Sequence, residues 1–207
     1  YDYLCLPNGN LALAIGDVAG KGISAALLMA SIQSIMRTQL AAGMPRTSDG
    51  MSHFSTAMVV EQLSRQLYAN TSPEKYATFF FGLYDEELRR LTYTNAGHLS
   101  PLLVRGGGVT PLEVTGTVIG MFPAMRYEQQ EIGFGQGDLL IAYTDGITEP
   151  ENSYGEEFGV DRLAEIVQKN HTAALDEVVA KVREAVRQWS GTPELPDDMT
   201  VLIARGT

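Results

Sequence analysis

The stretch over residues 11–30, LALAIGDVAGKGISAALLMA, constrains the fold most strongly because its pattern changes twice. It begins as an apolar run over residues 11–15, which is typical of a buried strand. A glycine-rich segment over residues 16–22, GDVAGKG, follows and leads into a sequence rich in Ala, Leu and Met, which is typical of a helix. Glycines let a backbone approach a bound ion or phosphate closely. The carboxylate of Asp17 is therefore predicted to lie at the end of a buried strand, beside a turn that suits ion binding.

Strand and helix patterns in the whole chain come in blocks rather than in alternation. Asn8-Gly9 between two apolar runs predicts a hairpin, and Ser55 or Thr56 is placed to cap a helix. The block order predicts antiparallel sheets with helices on their outer faces, an α+β fold rather than a parallel doubly wound one. In chain order, the patterns predict strands over residues 1–6 and 10–15, helices over 24–42 and 55–70, strands over 76–84, 88–94, 102–105, 109–114, 127–132 and 138–143, helices over 159–170 and 174–189, and a last strand over 199–204.

Two details of the helical region carry further expectations. Apolar residues at three- and four-residue spacing predict the first helix, and Val59, Leu63 and Leu67 are predicted to share one face of the second. Gly43 and Pro45 are expected to end the first helix, and residues 44–54 to form a mobile loop. The residues whose spacing predicts the first helix are Ala26, Leu27, Ala30, Ile32, Ile35 and Met36.

Composition and charge limit the function classes. The 207 residues are 44% hydrophobic, which suits one domain with a sizeable core, or at most two small ones. The formal net charge is −10 and Lys and Arg form no cluster, which argues against nucleic-acid binding. No apolar run of about 18 residues is present, so no transmembrane helix is predicted, and no signal peptide is recognisable.

The single cysteine, Cys5, excludes an internal disulfide and argues against a cysteine-based zinc site. It favours a reducing compartment, so a cytoplasmic location is predicted. Because Cys5 lies in an apolar, strand-like run, it is predicted to be a small core residue.

Three predicted strand ends carry an Asp beside Gly or a second Asp: Asp17, Asp145, and the pair Asp197-Asp198. Carboxylates at strand ends can converge at one rim of a sheet, and oxygen ligands suit hard cations such as Mg2+ and Mn2+. Two such ions can hold and activate a water molecule. Each motif alone is also compatible with a plain turn or an exposed loop, and only the set of three favours a metal site.

A phosphate-binding P-loop is the obvious competing interpretation of the glycine-rich turn. That motif needs four residues between its first Gly and the Gly-Lys pair, followed by Ser or Thr. Here Gly16 and Gly20 enclose three residues and Lys21 precedes Gly22, so the match fails. Nucleotide hydrolysis is therefore not favoured.

Taken together, these segments resemble the bacterial branch of the metal-dependent Ser/Thr protein phosphatases, the branch that includes sporulation stage II protein E and RsbU-like proteins. The resemblance covers nearly the whole chain, and the motifs occur in the family's order. The matching segments are Gly16-Asp17-Val18-Ala19-Gly20-Lys21-Gly22 with Ala25-Ala26, Asn95-Ala96-Gly97-His98, Thr144-Asp145-Gly146 followed by Glu149, and Asp197-Asp198-Met199-Thr200.

The resemblance implies a four-layer α/β/β/α sandwich, in which two packed antiparallel sheets are flanked by helix pairs. It also implies a binuclear centre of Mn2+ or Mg2+. In it, Asp17 matches the bridging ligand, Val18 would contribute its backbone carbonyl, and Asp145 and Asp197 match the other two carboxylates. Asp198 falls where relatives carry Asn or Asp, and the motif register favours Asp197 over Asp198 as the direct ligand.

Two further residues of the resemblance have open roles. The family's first acidic residue would lie just before Tyr1, which leaves the second ion in question, and Asp2 is only a weak substitute because strand alternation would point it to another face. His98 is a candidate proton donor or ligand of a further ion, while a turn histidine that holds the backbone is an equal alternative.

The function implied by the resemblance is hydrolysis of phosphoserine or phosphothreonine on a partner protein, by attack of a metal-held hydroxide. The implied partner is a phosphorylated anti-sigma-factor antagonist in a partner-switching pathway, and the implied regulator is an upstream sensor or receiver domain. Residues 1–207 would then be one phosphatase domain, truncated at its N-terminus and excised from a longer regulatory protein. A dimer is compatible with this interpretation. The alternative is a binding or regulatory module that keeps the fold but has little or no activity.

Overall fold

The structure, a computed structural model, describes residues 1–6, 9–42, 55–72, 74–191 and 197–207. The expected helix stop at Gly43 and Pro45 and the expected loop over residues 44–54 lie outside the described residues. The chain divides into two compact units. The first comprises Tyr1–His98 and Glu113–Gly133, and the second comprises Leu99–Leu112 and Phe134–Thr207.

The first unit is an antiparallel sheet with a pair of helices. Its five strands lie in the order β1-β2-β3-β4-β7. The predicted hairpin at the start of the chain is confirmed, since β1 pairs with β2. The elements are β1 (Asp2–Cys5), β2 (Leu11–Val18), α1 (Ile23–Ala41), α2 (Thr56–Asn70), β3 (Ala77–Asp85), β4 (Arg90–Ala96) and β7 (Gln130–Gly133).

The core of the first unit lies between its sheet and its helices. Helix α1 buries a stripe at four-residue spacing, while the apolar side chains of Ile23 and Leu27 are 82% and 64% exposed. Helix α2 begins at the predicted cap, because the Ser55 side chain accepts a hydrogen bond from the Met58 amide at 3.2 Å. The main buried members of this core are Ala12, Ala14, Leu28, Ile32, Met36, Leu40, Val59, Val60, Leu63, Leu67, Phe79 and Phe81.

The second unit repeats this plan with a four-stranded antiparallel sheet in the order β6-β5-β8-β9. One strand face and the two longer helices share a core that contains Leu139, Ile141, Leu163, Val178 and Val182. The elements are β5 (Leu102–Arg105), β6 (Gly108–Pro111), β8 (Leu139–Tyr143), α3 (Asp145–Thr148), α4 (Gly159–Lys169), α5 (Leu175–Ser190) and β9 (Val201–Arg205).

Two antiparallel sheets, each with its own helix pair, make this an α+β fold, as predicted from the block order. One strand is displaced from its predicted range: residues 127–132 were expected, but β7 begins at Gln130. Tyr127 is instead buried in the core of the first unit, and its hydroxyl oxygen lies 3.1 Å from both the Ser64 hydroxyl oxygen and the Val118 carbonyl oxygen.

The prediction that Cys5 is a core residue is wrong, because its side chain is exposed. β1 is an edge strand of its sheet. Successive side chains along it point to opposite faces, so their environments differ. Asp2 is buried in this strand although it is charged, and Cys5 is exposed although it is apolar.

Asp2 is buried because its carboxylate is neutralised from α1. Arg37 donates from Nε to Oδ2 and from Nη2 to Oδ1, both at 2.7 Å, and Gln33 donates to Oδ2 at 3.1 Å. Such two-pronged arginine–carboxylate pairs are stronger than neutral hydrogen bonds. The hydrogen bond from Arg37 is the main reason why the pKa of Asp2 lies below its ordinary value, and the pair fastens the edge strand to α1.

We expect Asp2→Asn to reduce the free energy of unfolding at pH 7 by about 1 kcal/mol. The effect is modest because the Arg37 side chain is half exposed, so water can partly replace its lost contact with the carboxylate. Because the pKa of Asp2 is lowered by folding, the stabilisation is complete above its unfolded value of about 3.9. It is lost as the pH falls through the lower folded value. Urea unfolding of both proteins from pH 7 to pH 2 should therefore show curves that converge in acid, and a difference that is independent of pH would contradict the assignment.

Candidate metal centre

Asp17 occupies the end of β2, where the sequence predicted a ligand. The strand continues through Gly16 and Asp17 to Val18, and Asp17 pairs directly with Thr78 on β3. A Cβ atom at position 16 would lie 2.7 Å from the Thr78 carbonyl oxygen and 2.9 Å from a Phe79 ring carbon, so only glycine fits there. The close approach of β2 to β3 therefore brings an exposed carboxylate to the strand end.

His98 lies in a tight turn after β4 and is only 2% exposed. The Asn95 side chain holds this turn, since its oxygen accepts from the His98 amide at 2.9 Å and its amide group donates to the His98 carbonyl at 3.1 Å. The imidazole Nδ1 lies 2.8 Å from the hydroxyl oxygen of Thr78. These contacts fix the position of the ring, while a role for His98 as a proton donor stays a prediction.

In the second unit, Asp145 and the Asp197-Asp198 pair lie at the same end of the β8–β9 pair. Beyond the last paired residues, the Thr144 amide donates to the Thr200 carbonyl at 3.1 Å. The Thr144 hydroxyl accepts from the Thr200 amide at 3.1 Å and donates to the Asp198 carbonyl at 3.4 Å. Asp145 then begins the short helix α3, whereas its Asp-Gly sequence is equally typical of a plain turn.

Gly146 allows this close approach of the two segments. A Cβ atom at position 146 would collide with the carbonyl group of Asp198, which lies directly against the Gly146 backbone. The Asp-Gly pair at residues 145–146 therefore has a packing role in addition to its turn propensity.

We expect Gly146→Ala to lower the free energy of unfolding by about 1–3 kcal/mol, because the added methyl group must push the Asp198 backbone away. Gly135→Ala is the matched control in the same unit, since a methyl group there would meet no atom within 4 Å. Chemical unfolding of both variants measures the difference. Equal free energies of unfolding for the two variants would contradict this, because they would show that the Asp198 backbone can move away without loss of stability.

Glu149 is a further acidic residue of this region, and it is not among the site residues predicted from the sequence. Burial raises its pKa, and the charges of Asp145, Glu157 and Asp197 raise it further. Asp145 and Glu149 are four residues apart across a single helical turn, which is the signal that could have identified it. Burial is the largest cause of the shift, and the smaller contributions of the three neighbouring acids place negative charge near Glu149 at this end of the second unit.

The described residues contain no group of three or more His, Cys, Asp or Glu that is arranged to hold a metal ion. Asp17, Val18, His98 and Asp2 belong to the first unit, whereas Asp145, Asp197 and Asp198 belong to the second. Both oxygens of Asp2 accept hydrogen bonds from Arg37. The oxygen donors of both units fit a hard divalent cation in their chemistry. Their assembly into one metal centre stays a prediction.

We expect Asp145→Asn to bring the pKa of Glu149 down toward its ordinary value in protein kept free of metal by a chelator. The substitution removes one of the charges that repel the Glu149 carboxylate, while the amide oxygen can still accept from the Gly146 amide as the carboxylate does at 2.8 Å. Since folding raises this pKa, ionised Glu149 destabilises the fold at neutral pH, and the variant should be slightly more stable at pH 7 but not at pH 3. A 13C titration of the Glu149 carboxyl group measures the shift, and an unchanged pKa would contradict the proximity.

Comparison with known proteins identified both sequence relatives and structural neighbours. The family model described as Stage II sporulation protein E (SpoIIE) matches residues 7–207. Protein IcfG of Synechocystis sp. is 28% identical over 98% of this chain and 34% of its own length. Phosphoserine phosphatase RsbU of Bacillus subtilis is 26% identical over 95% of this chain and 56% of its own length. The chain thus spans about a third to just over half of these relatives.

Solved structures with the same fold include the SiaA-PP2C domain of Pseudomonas aeruginosa. It matches with a TM-score of 0.85 at 19% identity, over 100% of this chain and 79% of that one. RsbX in complex with magnesium matches with a TM-score of 0.66 at 17% identity, over 94% of this chain and 80% of that one. At these identities the likeness shows a shared fold, and the predicted arrangement of antiparallel sheets and helices is confirmed.

Proposed function

This chain belongs to the Stage II sporulation protein E family, and from that membership we propose that it is a metal-dependent phosphatase acting on phosphoserine or phosphothreonine of a partner protein. The observation that carries the proposal is the position of Asp145, Glu149 and Asp197 at one end of the β8–β9 pair. Burial raises the pKa of Glu149, the charges of Asp145 and Asp197 raise it further, and a bound divalent cation would relieve that repulsion. RsbU, similar over nearly the whole chain, carries the name phosphoserine phosphatase.

The proposed ligands are the carboxylates of Asp17, Asp145 and Asp197, with the Val18 carbonyl and Asp198 as further oxygen donors. A centre of Mn2+ or Mg2+, with two ions, would supply a water of lowered pKa and neutralise charge on the phosphoryl group. Magnesium in the similarly folded RsbX supports the choice of a hard cation. The influence of Asp197 on Glu149 supports its priority over Asp198, whose backbone packs on Gly146.

The chain's own contribution would be placement and charge. Phosphoryl transfer depends mainly on positioning and electrostatic stabilisation, so no side chain has to form a covalent intermediate. The register of β2 with β3 holds Asp17, and the ties between Thr144 and Thr200 hold the segments that carry Asp145 and Asp197. His98, buried in the turn after β4, would keep its surroundings in place.

The proposed substrate is a phosphorylated anti-sigma-factor antagonist, whose dephosphorylation would release a sigma factor in the cytoplasm. The similarity to RsbU supports this partner, and the longer chains of the relatives support control by an upstream sensor or receiver domain. In the part of the chain that the structure describes, no helix combines the length and apolar character needed to cross a membrane.

A binding module with little activity is the second candidate, and Asp2 favours it. The family's first acidic residue is not supplied by Asp2, because Arg37 engages both of its carboxylate oxygens. A centre built from the other proposed ligands alone would hold a second ion weakly. Absence of turnover, both by this chain and by a chain extended upstream, would support the binding module.

We expect the protein to hydrolyse p-nitrophenyl phosphate and a phosphoserine peptide when Mn2+ is added. Asp17→Asn and Asp145→Asn should each reduce kcat/KM by at least about a hundredfold, since loss of a direct ligand costs more than loss of a supporting residue. Asp161→Asn changes an exposed aspartate of α4 and serves as the control, with activity near that of the unchanged protein. Full activity of Asp17→Asn or Asp145→Asn would overturn the assignment of the site.

A further inference from the structure

Thr78 joins the proposed ligand Asp17 to His98 at the end of three neighbouring strands. Asp17 lies on β2, Thr78 pairs with it on β3, and His98 follows β4. Directly paired residues of an antiparallel sheet point to the same face, with Cβ atoms about 4.5–5.5 Å apart. The side chain of Thr78 is thus a direct neighbour of the Asp17 side chain, although no motif of the sequence drew attention to it.

The Thr78 hydroxyl lies between two partners. Its oxygen is 2.8 Å from His98 Nδ1 and 3.5 Å from the Asp17 carbonyl oxygen, which can only accept. A hydroxyl has one proton, so a Thr78 that donates to the Asp17 carbonyl accepts from a protonated Nδ1. In that arrangement the bonds run from the His98 imidazole through the Thr78 hydroxyl to the Asp17 backbone, and the Nδ1–H form of His98 is the tautomer that the inference needs.

The His98 end of this chain of bonds is rigidly held. His98 is almost completely buried, and the Asn95 side chain bonds both its amide and its carbonyl. The Asp17 end has less support from packing, because Asp17 is exposed and its neighbour Gly16 has no side chain. A fixed imidazole can therefore restrain the strand end through one hydroxyl group.

We propose that Thr78 is a positioning residue, which transmits the fixed position of His98 to Asp17 and so orients the Asp17 carboxylate for a divalent cation. The inference rests on the proposed function, because it takes Asp17 to be a metal ligand. Residues that hold a ligand in place tune metal affinity without touching the metal. His98 then acts through Thr78 and needs no direct contact with the substrate.

The test compares Thr78→Val, which keeps the shape but removes the hydroxyl, with Thr78→Ser, which keeps the hydroxyl. Mn2+ binding is measured without substrate by electron paramagnetic resonance, and kcat is measured at saturating Mn2+. We expect Thr78→Val to weaken Mn2+ binding about ten- to a hundredfold with kcat changed much less, and Thr78→Ser to restore most of the affinity. Thr92→Val, the same substitution at a buried site of β4, is the control and should leave Mn2+ binding unchanged.

A second measurement needs no variant. The 15N shifts of the His98 ring in the unchanged protein should show a proton on Nδ1, and that signal should move in Thr78→Val. A ring with an unprotonated Nδ1, or tight Mn2+ binding by a folded Thr78→Val protein, would overturn the inference.

The two proposals fail in different ways. A protein that binds Mn2+ but releases no phosphate from any phosphoserine substrate refutes the phosphatase function, while the comparison of Mn2+ affinities still decides the role of Thr78. A protein that binds no Mn2+ refutes both.

Discussion

Antiparallel strand pairing is the constraint on which the candidate centre depends. The β2–β3 register sets Asp17 opposite Thr78, and the β8–β9 register brings the segments of Asp145 and Asp197 to a common end. Two glycines make these approaches feasible, because Gly16 lies against the β3 backbone and Gly146 against the Asp198 carbonyl. Residues distant in the sequence become neighbours through backbone hydrogen bonds, before any metal contributes.

Electrostatics distinguishes two kinds of carboxylate in this protein. Asp2 and Asp138 each receive hydrogen bonds from an arginine, and the pKa of both is lowered despite the opposing effect of burial. Burial raises the pKa of Glu149, and the neighbouring acids Asp145, Glu157 and Asp197 raise it further. The first kind stabilises the fold by itself, whereas the second stores repulsion that only a cation or a proton removes. That contrast supports the proposal that a cation binds near Glu149 in the second unit.

Much of the fold could be predicted from the sequence because strand and helix patterns are local. The pairing of the first two strands, the Ser55 cap and the face of α2 with Val59, Leu63 and Leu67 are all confirmed. The face of α1 was not determined, since apolar residues occur all around it, and Leu28 is buried while Leu27 is exposed. The pairing of Asp2 with Arg37 and the contact of Gly146 with Asp198 join residues far apart in sequence, so no local pattern reveals them.

The exposed thiol of Cys5 has a practical consequence. It is the only cysteine of the chain, so a maleimide fluorophore would attach at one known position without any engineered cysteine. That position lies on the same short strand as Asp2, whose carboxylate is held by α1. The fluorescence of such a label would report whether β1 and α1 stay together when a divalent cation or a phosphorylated peptide is added.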